Sequence, residues 1–160
     1  MILALPTRRA TRRLGRALAQ ALAPGDAIIL SGSLGAGKTF LVRGLCRALG
    51  LPEHEPVQSP TFTLVRELAT QPKVVHADLY RLGCLEEAEQ LGLLEQRDAG
   101  AVLLVEWAES YPEALGPDCL TLRIDLGPRR ATLSASGPRS GQLLAQTVQA
   151  ALRLRLTVTP

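Results

Sequence analysis

The sequence predicts an α/β fold with three layers, in which helices cover a mostly parallel central sheet that has antiparallel additions. Two apolar runs, Ala27–Leu30 and Ala101–Glu106, have the composition of strands that are buried on both faces. Segments with apolar residues at helical spacing alternate with such runs, and Thr7–Leu22 is the first of them. With 160 residues, of which 46% are hydrophobic and 21% charged, the chain has enough apolar surface for one core. We therefore expect a single domain over residues 1–160.

The other elements are placed by periodicity and by helix-breaking residues. Thr7 is in position to cap the first helix, and Pro24-Gly25 ends it. The further predicted helices cover Lys38–Leu49, Leu85–Ala99 in two pieces around Gly92, and Gln142–Leu154. The further predicted strands are a hairpin of Thr61–Val65 with Lys73–Asp78, and an antiparallel pair of Leu120–Ile124 with Ala131–Ser134 around Gly127-Pro128. We expect the last six residues to be frayed.

Composition argues against several classes of protein. No apolar run approaches the length that spans a bilayer, and the chain turns Arg-rich directly after Met1–Leu5, unlike a signal peptide. Cys46, Cys84 and Cys119 are widely spaced and form no C-x-x-C pair, which argues against a zinc site and a disulfide framework. We expect Cys46 and Cys119 to fill the core, and we expect no membrane partner and a cytoplasmic location.

The segment that follows the first core strand carries a phosphate-binding pattern. Gly32–Thr39 fits G-x-x-x-x-G-K-[ST], with a strand before it and a helix after it, as the pattern requires. The glycines allow several backbone N–H groups to point into one concavity, and the helix N-terminus adds partial positive charge there. The sequence thus predicts a P-loop NTPase-like domain with a nucleotide at Gly32, Ser33, Leu34, Gly35, Ala36, Gly37, Lys38 and Thr39. Lys38 would reach the β- and γ-phosphates, and the Thr39 hydroxyl would be a ligand of Mg²⁺.

Two predicted core strands end in a carboxylate. Hydrolysis or transfer of a phosphoryl group needs such an acidic group near the metal, in addition to the phosphate loop. The strands end in Asp78 and Glu106, and either carboxylate could orient an attacking water. A buried Glu106 is costly without a partner, and a cation would be that partner. Asp78 could instead cap the turn that follows its strand.

Two further features adjoin these strand ends. Trp107, the only Trp of the chain, directly follows Glu106 and is either core packing or a contact beside the γ-phosphate. Ser59-Pro60-Thr61 lies where GTPases have their first switch, although the same residues would suit an ordinary loop.

The charge pattern indicates a possible interaction surface at the N-terminus. The chain has sixteen Arg and only two Lys, and its formal net charge is +3. Five of the arginines share the outer side of the first predicted helix: Arg8, Arg9, Arg12, Arg13 and Arg16. They form either a solvated helix face or a basic patch for nucleic acid or for an acidic partner.

Four stretches together resemble the TsaE family (also called YjeE), the ATPase of bacterial tRNA threonylcarbamoyladenosine synthesis. They are Leu34–Thr39, Ser59–Val65, His76–Leu82 and Leu104–Trp107, in this order and spacing. The resemblance implies ATP hydrolysis with Mg²⁺, and assembly with the TsaB and TsaD proteins that place N6-threonylcarbamoyl on adenosine 37 of ANN-reading tRNAs. It implies that tRNA is held mostly by those partners, so that direct binding of tRNA to this chain is weak.

The resemblance also implies roles for individual residues. Thr39 and Glu106 would hold Mg²⁺, Asp78 would take part in hydrolysis, and the adenine end would lie near Thr7 and Arg130. The chain departs from the family pattern at Ser33, Ala77 and Ala108, where Asp, Phe and Pro are usual. None of these departures removes a proposed metal or phosphate ligand.

Other functions fit the phosphate loop as well. A small-molecule kinase would use the same ATP site, but would usually need an Arg-rich lid over the phosphates. A GTPase is disfavoured, because the chain contains no Asn for the Asn-Lys-x-Asp segment that commonly reads guanine. A nucleotide-gated module that binds tRNA or protein is a non-enzymatic alternative. For the ATPase we expect slow turnover alone, because no cis arginine finger is evident, and stimulation by partners.

Overall fold

The computed structural model describes residues 1–159 and confirms the three-layer α/β fold. Its helices are α1 (Arg8–Ala21), α2 (Lys38–Ala48), α3 (Leu85–Glu89), α4 (Leu93–Asp98) and α5 (Pro138–Arg153). Its strands are β1 (Ile2–Ala4), β2 (Ala27–Ser31), β3 (Val65–Leu68), β4 (Val74–Asp78), β5 (Val102–Glu106), β6 (Leu120–Leu126), β7 (Arg129–Ala135) and β8 (Val158–Thr159). Two short 3₁₀ turns, Ala108–Ser110 and Pro112–Leu115, follow β5.

All the strands belong to one sheet in the order β3-β4-β5-β2-β6-β7-β1-β8. The central strands β4, β5, β2 and β6 are parallel to one another, and β2 lies between β5 and β6. The edges are antiparallel additions: the predicted hairpin β3–β4 on one side, and β7, β1 and β8 on the other. The carboxyl ends of β2, β4 and β5 therefore meet at one edge of the sheet, where open α/β sheets bind ligands.

Alternate residues of the central strands enter two separate cores. Ile28 and Leu30 face the layer formed by α1, α2 and α5, whereas Ile29 faces α3, α4 and the 3₁₀ turns. Because both faces are covered, β2, β4 and β5 are buried along their whole length. Cys46 and Cys119 are buried as predicted, and burial raises the pKa of the Cys46 thiol to about 12.

Helix α1 packs closely against the helix that follows the phosphate loop. A Cβ on Gly15 would lie 2.8 Å from the backbone nitrogen of Leu45 and 3.0 Å from the carbonyl carbon of Gly44. Only glycine allows this approach, which fixes α2 against α1 on the outer layer.

The strand predicted over Thr61–Val65 begins later than expected, at Val65. Thr61–Leu64 is a turn, in which the Leu64 N–H donates to the Pro60 carbonyl at 2.6 Å and Leu64 adopts a left-handed φ of 65°. The residue types alternate as in a strand. The Thr61 hydroxyl, however, donates to the Asp78 side chain and holds the segment out of the strand.

The prediction that the last six residues are frayed is wrong for those that the structure describes. Leu156 is buried, and Val158 and Thr159 pair with β1, so apolar contact and ladder hydrogen bonds fix this segment. Pro160 lies outside the described residues. Within residues 1–159, none of the helices has both the length and the apolar character that crossing a membrane requires.

Candidate nucleotide-binding site

The phosphate loop connects β2 to α2 and depends on three glycines with positive φ. These are Gly32 (127°), Gly35 (77°) and Gly37 (101°), in a region that other residues rarely adopt. A Cβ on Gly32 would also overlap the carbonyl oxygen of Ile124 on the neighbouring strand. Gly37 is the N-cap of α2, so the unpaired N–H groups of the first helical turn adjoin the loop.

Lys38 lies over the concavity of this loop. Its Nζ donates to the carbonyl oxygens of Gly32 at 2.8 Å and Ser33 at 3.2 Å, and the residue is only 4% exposed. The same amine lies 4.2 Å from the centre of the Trp107 ring, a cation–π contact. A positive charge is thus held among backbone groups at the position where the pattern predicted phosphate.

Thr39 and Glu106 meet directly next to the loop. The Thr39 hydroxyl donates to Glu106 Oε1 at 2.9 Å, although the two residues are 67 positions apart in the chain. His76 Nε2 lies 3.0 Å from the same oxygen, and because a carboxylate only accepts, the histidine donates from Nε2. Glu106 and His76 are both buried, at 3% and 0% exposure. The sequence alone predicts no role for His76.

Asp78 lies beside Glu106, since the two residues are partners in the parallel register of β4 and β5. Its Oδ2 accepts from the Ser59 hydroxyl at 2.7 Å and from the Thr61 hydroxyl at 3.0 Å. Its Oδ1 accepts from the Tyr80 backbone N–H at 3.0 Å, so Asp78 also caps the turn that follows its strand. The structure therefore brings the predicted switch residues Ser59 and Thr61 to one of the two strand-end carboxylates, with Pro60 buried beneath the turn.

Trp107 closes one side of the site in a strained conformation. Its φ is 62°, a left-handed value that is unusual for a bulky side chain. The Tyr80 ring packs against it with 5.0 Å between ring centres. The site is a cleft of about 480 Å³ lined by Leu34, Gly35, Gly37, Lys38, Thr39, Ser59, Thr61, Asp78, Tyr80, Glu106 and Trp107.

These groups fit a magnesium nucleotide. Mg²⁺ prefers oxygen ligands and is usually held by one or two protein oxygens together with substrate phosphates. The Thr39 hydroxyl and the Glu106 carboxylate are such oxygens and are already in contact. Among residues 1–159 no cluster of three or more His, Cys, Asp or Glu side chains is placed to hold a metal ion.

Thr7 and Arg130 are not among the residues that line this cleft. The Thr7 hydroxyl caps α1 by accepting from the Ala10 N–H at 3.1 Å. Arg130 Nε donates to Asp125 at 3.3 Å, and bonds from Arg123 and Arg130 hold the pKa of Asp125 below its usual value. The assignment of both residues to the adenine end stays a prediction.

Arg129, the residue before, lies at the loop instead. A Cβ on Gly37 would overlap its guanidinium group, whose buried Nε has no hydrogen-bond partner among the described residues. Strand alternation could have indicated it, because Arg129 shares the sheet face of Ala131 and Leu133, which is the face that α1 and α2 cover.

Comparisons with known proteins identify the family of this chain. The sequence model of the family described as "Threonylcarbamoyl adenosine biosynthesis protein TsaE" matches residues 5–132. The chain is 48% identical over 118 residues to the tRNA threonylcarbamoyladenosine biosynthesis protein TsaE of Streptomyces coelicolor, covering 71% of this chain and 78% of the relative. It is 36% identical over 126 residues to the protein of that name from Rickettsia felis, with 78% and 72% of the two chains covered.

A solved structure is also similar. The crystal structure of Bacillus subtilis YdiB superimposes with a TM-score of 0.75 and 27% identity, over 93% of this chain and 94% of that one. The family match covers most of the chain, and it includes the phosphate loop and both strand-end carboxylates. The chain therefore belongs to the TsaE family of tRNA threonylcarbamoyladenosine biosynthesis proteins.

Proposed function

We propose that the chain is a Mg²⁺-dependent ATPase that binds ATP at Gly32–Thr39 and supports the TsaB and TsaD proteins in the threonylcarbamoylation of adenosine 37 in tRNA. The observation that carries the proposal is the hydrogen bond of 2.9 Å between the Thr39 hydroxyl and Glu106 Oε1. It joins the last residue of the loop to a buried carboxylate at the end of the adjacent strand. In P-loop NTPases a metal is held by a hydroxyl and a strand-end carboxylate of this kind.

The loop backbone and four side chains have separate roles in the proposed hydrolysis. The loop N–H groups and Lys38 bind the phosphates and stabilise the negative charge that develops on them. Thr39 and Glu106 would hold Mg²⁺, which supplies further neutralisation of that charge when it is bound. Asp78 is the carboxylate that would orient the attacking water, because it lies beside Glu106 and faces the cleft.

Asp78 also gives a reason for slow turnover without partners. Three donors occupy its two oxygens, two of them from the Ser59–Thr61 turn. A water could use the carboxylate fully only if this turn moved. Phe62, at the same turn, is 81% exposed and is stacked under the Arg81 guanidinium at 4.2 Å. We therefore propose that partner proteins act on this turn, with Trp107 as the second contact at the mouth of the cleft.

Hydrolysis of ATP without any acceptor is the test. Free phosphate is measured for the wild type, Lys38→Ala and Glu106→Ala, each with and without the TsaB and TsaD proteins. We expect Lys38→Ala to lower the rate by roughly 100-fold, as for other groups that stabilise charge in the transition state. Glu106→Ala should lower the rate as well and raise the Mg²⁺ concentration that half-maximal rate requires.

Matched controls are Lys73→Ala and Glu109→Ala, which remove the same charges from exposed positions. Both should hydrolyse ATP like the wild type. Wild-type rates in Lys38→Ala or Glu106→Ala would overturn the assignment of the site. Formation of ADP only when a small-molecule acceptor is added, with the phosphoryl group on the acceptor and no free phosphate, would identify a kinase instead.

A further inference from the structure

Six arginines cover the outer surface of α1 and the adjoining side of α2. We call Arg8, Arg9, Arg12, Arg13, Arg16 and Arg43 the arginine face. All of them except the half-buried Arg13 are exposed. None forms an ion pair with a described residue. Because the formal net charge of the whole chain is only +3, the other residues together carry more negative than positive charge, and the molecule is strongly polarised.

The arginine face contains two adjoining clefts that share Arg12 and Arg16. One cleft, of about 590 Å³, lies between α1 and α2, and Arg43 extends its positive lining, whereas Arg47 is paired there with Glu53 at 3.5 Å. The other, of about 390 Å³, continues towards the end of α5, where Arg153 and Arg155 are exposed. Arg12 and Arg16 therefore form a positive ridge, because they are four residues apart and lie about 6 Å from each other along the helix axis.

The chemistry of this surface fits a chain of phosphates. Arginine binds phosphate with two parallel N–H groups, and the face contains no lysine. The apolar side of α1, including Leu14 and Leu18, is buried in the core, so the helix has no apolar side with which to enter a membrane.

A protein partner and base stacking fit less well. Of the large apolar side chains that are exposed in residues 1–159, none lines either cleft, whereas protein interfaces have an apolar centre. The nearest aromatic ring, Phe40, is only partly exposed and lies 5.7 Å from the Arg12 guanidinium. Contacts would thus be made to the backbone of the nucleic acid rather than to its bases.

We propose that the arginine face binds the phosphate backbone of RNA, without reading its base sequence. RNA is favoured over DNA because the family to which the chain belongs takes part in tRNA threonylcarbamoyladenosine biosynthesis. The proposal does not depend on ATP hydrolysis. It assigns to this chain a direct contact that is weak and easily screened by salt, in addition to any hold that partner proteins have on tRNA.

The test compares two double variants that each remove two positive charges. Arg12→Gln/Arg16→Gln changes the ridge, and Arg66→Gln/Arg123→Gln changes two arginines on other elements. Binding of an unmodified tRNA transcript is measured by fluorescence anisotropy between about 50 and about 200 mM salt, where phosphate contacts are strongly weakened. Excess ATP and Mg²⁺ keep RNA phosphates out of the phosphate loop.

We expect wild type and control to show the same steep decrease of affinity with salt. The ridge variant should lose affinity about tenfold at low salt, and the slope of log K against log salt should fall by about 1 for each arginine removed. If the ridge variant melts at a lower temperature than the wild type, Arg9→Gln/Arg13→Gln, which changes the second cleft, replaces it with the same expectation.

Three results would overturn the proposal. The first is a ridge variant that binds tRNA as tightly as the control does. The second is polyglutamate that displaces tRNA at an equal concentration of charge, which would indicate an acidic protein partner. The third is tighter binding to vesicles of anionic lipid than to tRNA at the same salt concentration, which would indicate a membrane surface.

Discussion

His76 is the residue that orients the proposed metal ligand. It is fully buried on β4, and its Nε2 donates to Glu106 Oε1, the oxygen that also accepts from Thr39. Two donors on one oxygen fix the rotamer of the carboxylate and direct its other oxygen away from them. Groups that orient a metal ligand in this way typically contribute 10- to 100-fold to metal affinity.

Replacement of His76 by Phe should therefore weaken Mg²⁺ binding by at least about 10-fold. The readout is the Mg²⁺ dependence of ATP binding, measured by calorimetry, so that the result does not rest on turnover. His76→Gln should recover most of the affinity, because the Gln side-chain nitrogen can occupy the position of the histidine Nε2. Equal Mg²⁺ dependence in wild type and His76→Phe, with both proteins folded, would show that Glu106 needs no such support.

The residues of the site differ in how far sequence could predict them. The proximity of Glu106 and Asp78 could be predicted because each ends an apolar strand, and parallel strands place their ends together. His76 was not found, because nothing local distinguishes a histidine on a buried strand from one that packs in the core. Arg129, which lies against Gly37, was not predicted, and only its alternation with Ala131 and Leu133 could have indicated the face of β7 that it occupies.

Among the elements, α5 depends on a cap that comes from a distant part of the chain. Its N-cap residue is Gly137, which has no side chain to accept from the first turn. Asp118 takes this role: its Oδ2 accepts from the Arg139 N–H and its Oδ1 from the Ser140 N–H, both at 2.8 Å. A negative charge is also favourable at a helix N-terminus. Hydrogen bonds from Ser140 and Arg139, together with the charge of Arg97, hold the pKa of Asp118 below its usual 3.8.

Asp118→Ala should lower the free energy of unfolding by about 1 kcal/mol at neutral pH, as the loss of other helix caps does. The pKa of Asp118 is lower in the folded than in the unfolded state. This contribution to stability is therefore complete above pH 3.8 and is lost as the pH falls through the folded pKa. Urea unfolding over a pH series measures the difference between wild type and variant. The difference in the free energy of unfolding should be constant near neutral pH and shrink below pH 3.8.

Asp98→Ala is the control for this cap, since Asp98 is exposed at the end of α4. Asp98→Ala should lower the free energy of unfolding at neutral pH by less than Asp118→Ala does. A loss in Asp118→Ala that stays constant through the acidic range would argue against a charged cap.

The elements that sequence did not predict are short or held by distant contacts. β1 and β8 contain three and two residues, too few for a periodic pattern, and they form because they pair with each other and because β1 also pairs with β7. Thr61–Leu64 has the alternation of a strand, but the bonds to Asp78 keep it in a turn. The long elements α1, β2, β5 and α5 carry strong patterns and were placed within a few residues.

At the scale of the whole molecule, the sheet order explains why distant residues form one site. β2 lies beside β5, and β5 lies beside β4, so the phosphate loop, Glu106 and Asp78 follow one another along a single edge. Helix α2 extends from this edge and packs at Gly15 on α1. Helix α1 carries most of the arginine face. The proposed nucleotide site and the proposed RNA surface are therefore connected by one pair of packed helices.

Binding of a nucleotide along this edge should stabilise the molecule as a whole. A ligand that binds only the folded state at 100 times its dissociation constant adds about 2.7 kcal/mol to the free energy of unfolding. For a chain of this size we expect the melting temperature to rise by roughly 5 to 10 °C with saturating ATP and Mg²⁺. Chelation of Mg²⁺ should remove much of this rise, because the ion that Thr39 and Glu106 would hold is then absent.

Two variants separate the phosphate contribution from the metal contribution in the same melting experiment. Lys38→Ala should show little rise with ATP under any condition, because the charge that faces the phosphates is absent. Glu106→Ala should show the same small rise with and without Mg²⁺, since the loop and Lys38 still bind phosphate while one metal ligand is missing. A rise in Glu106→Ala that depends on Mg²⁺ as in the wild type would place the ion elsewhere and would separate the strand-end carboxylate from the metal.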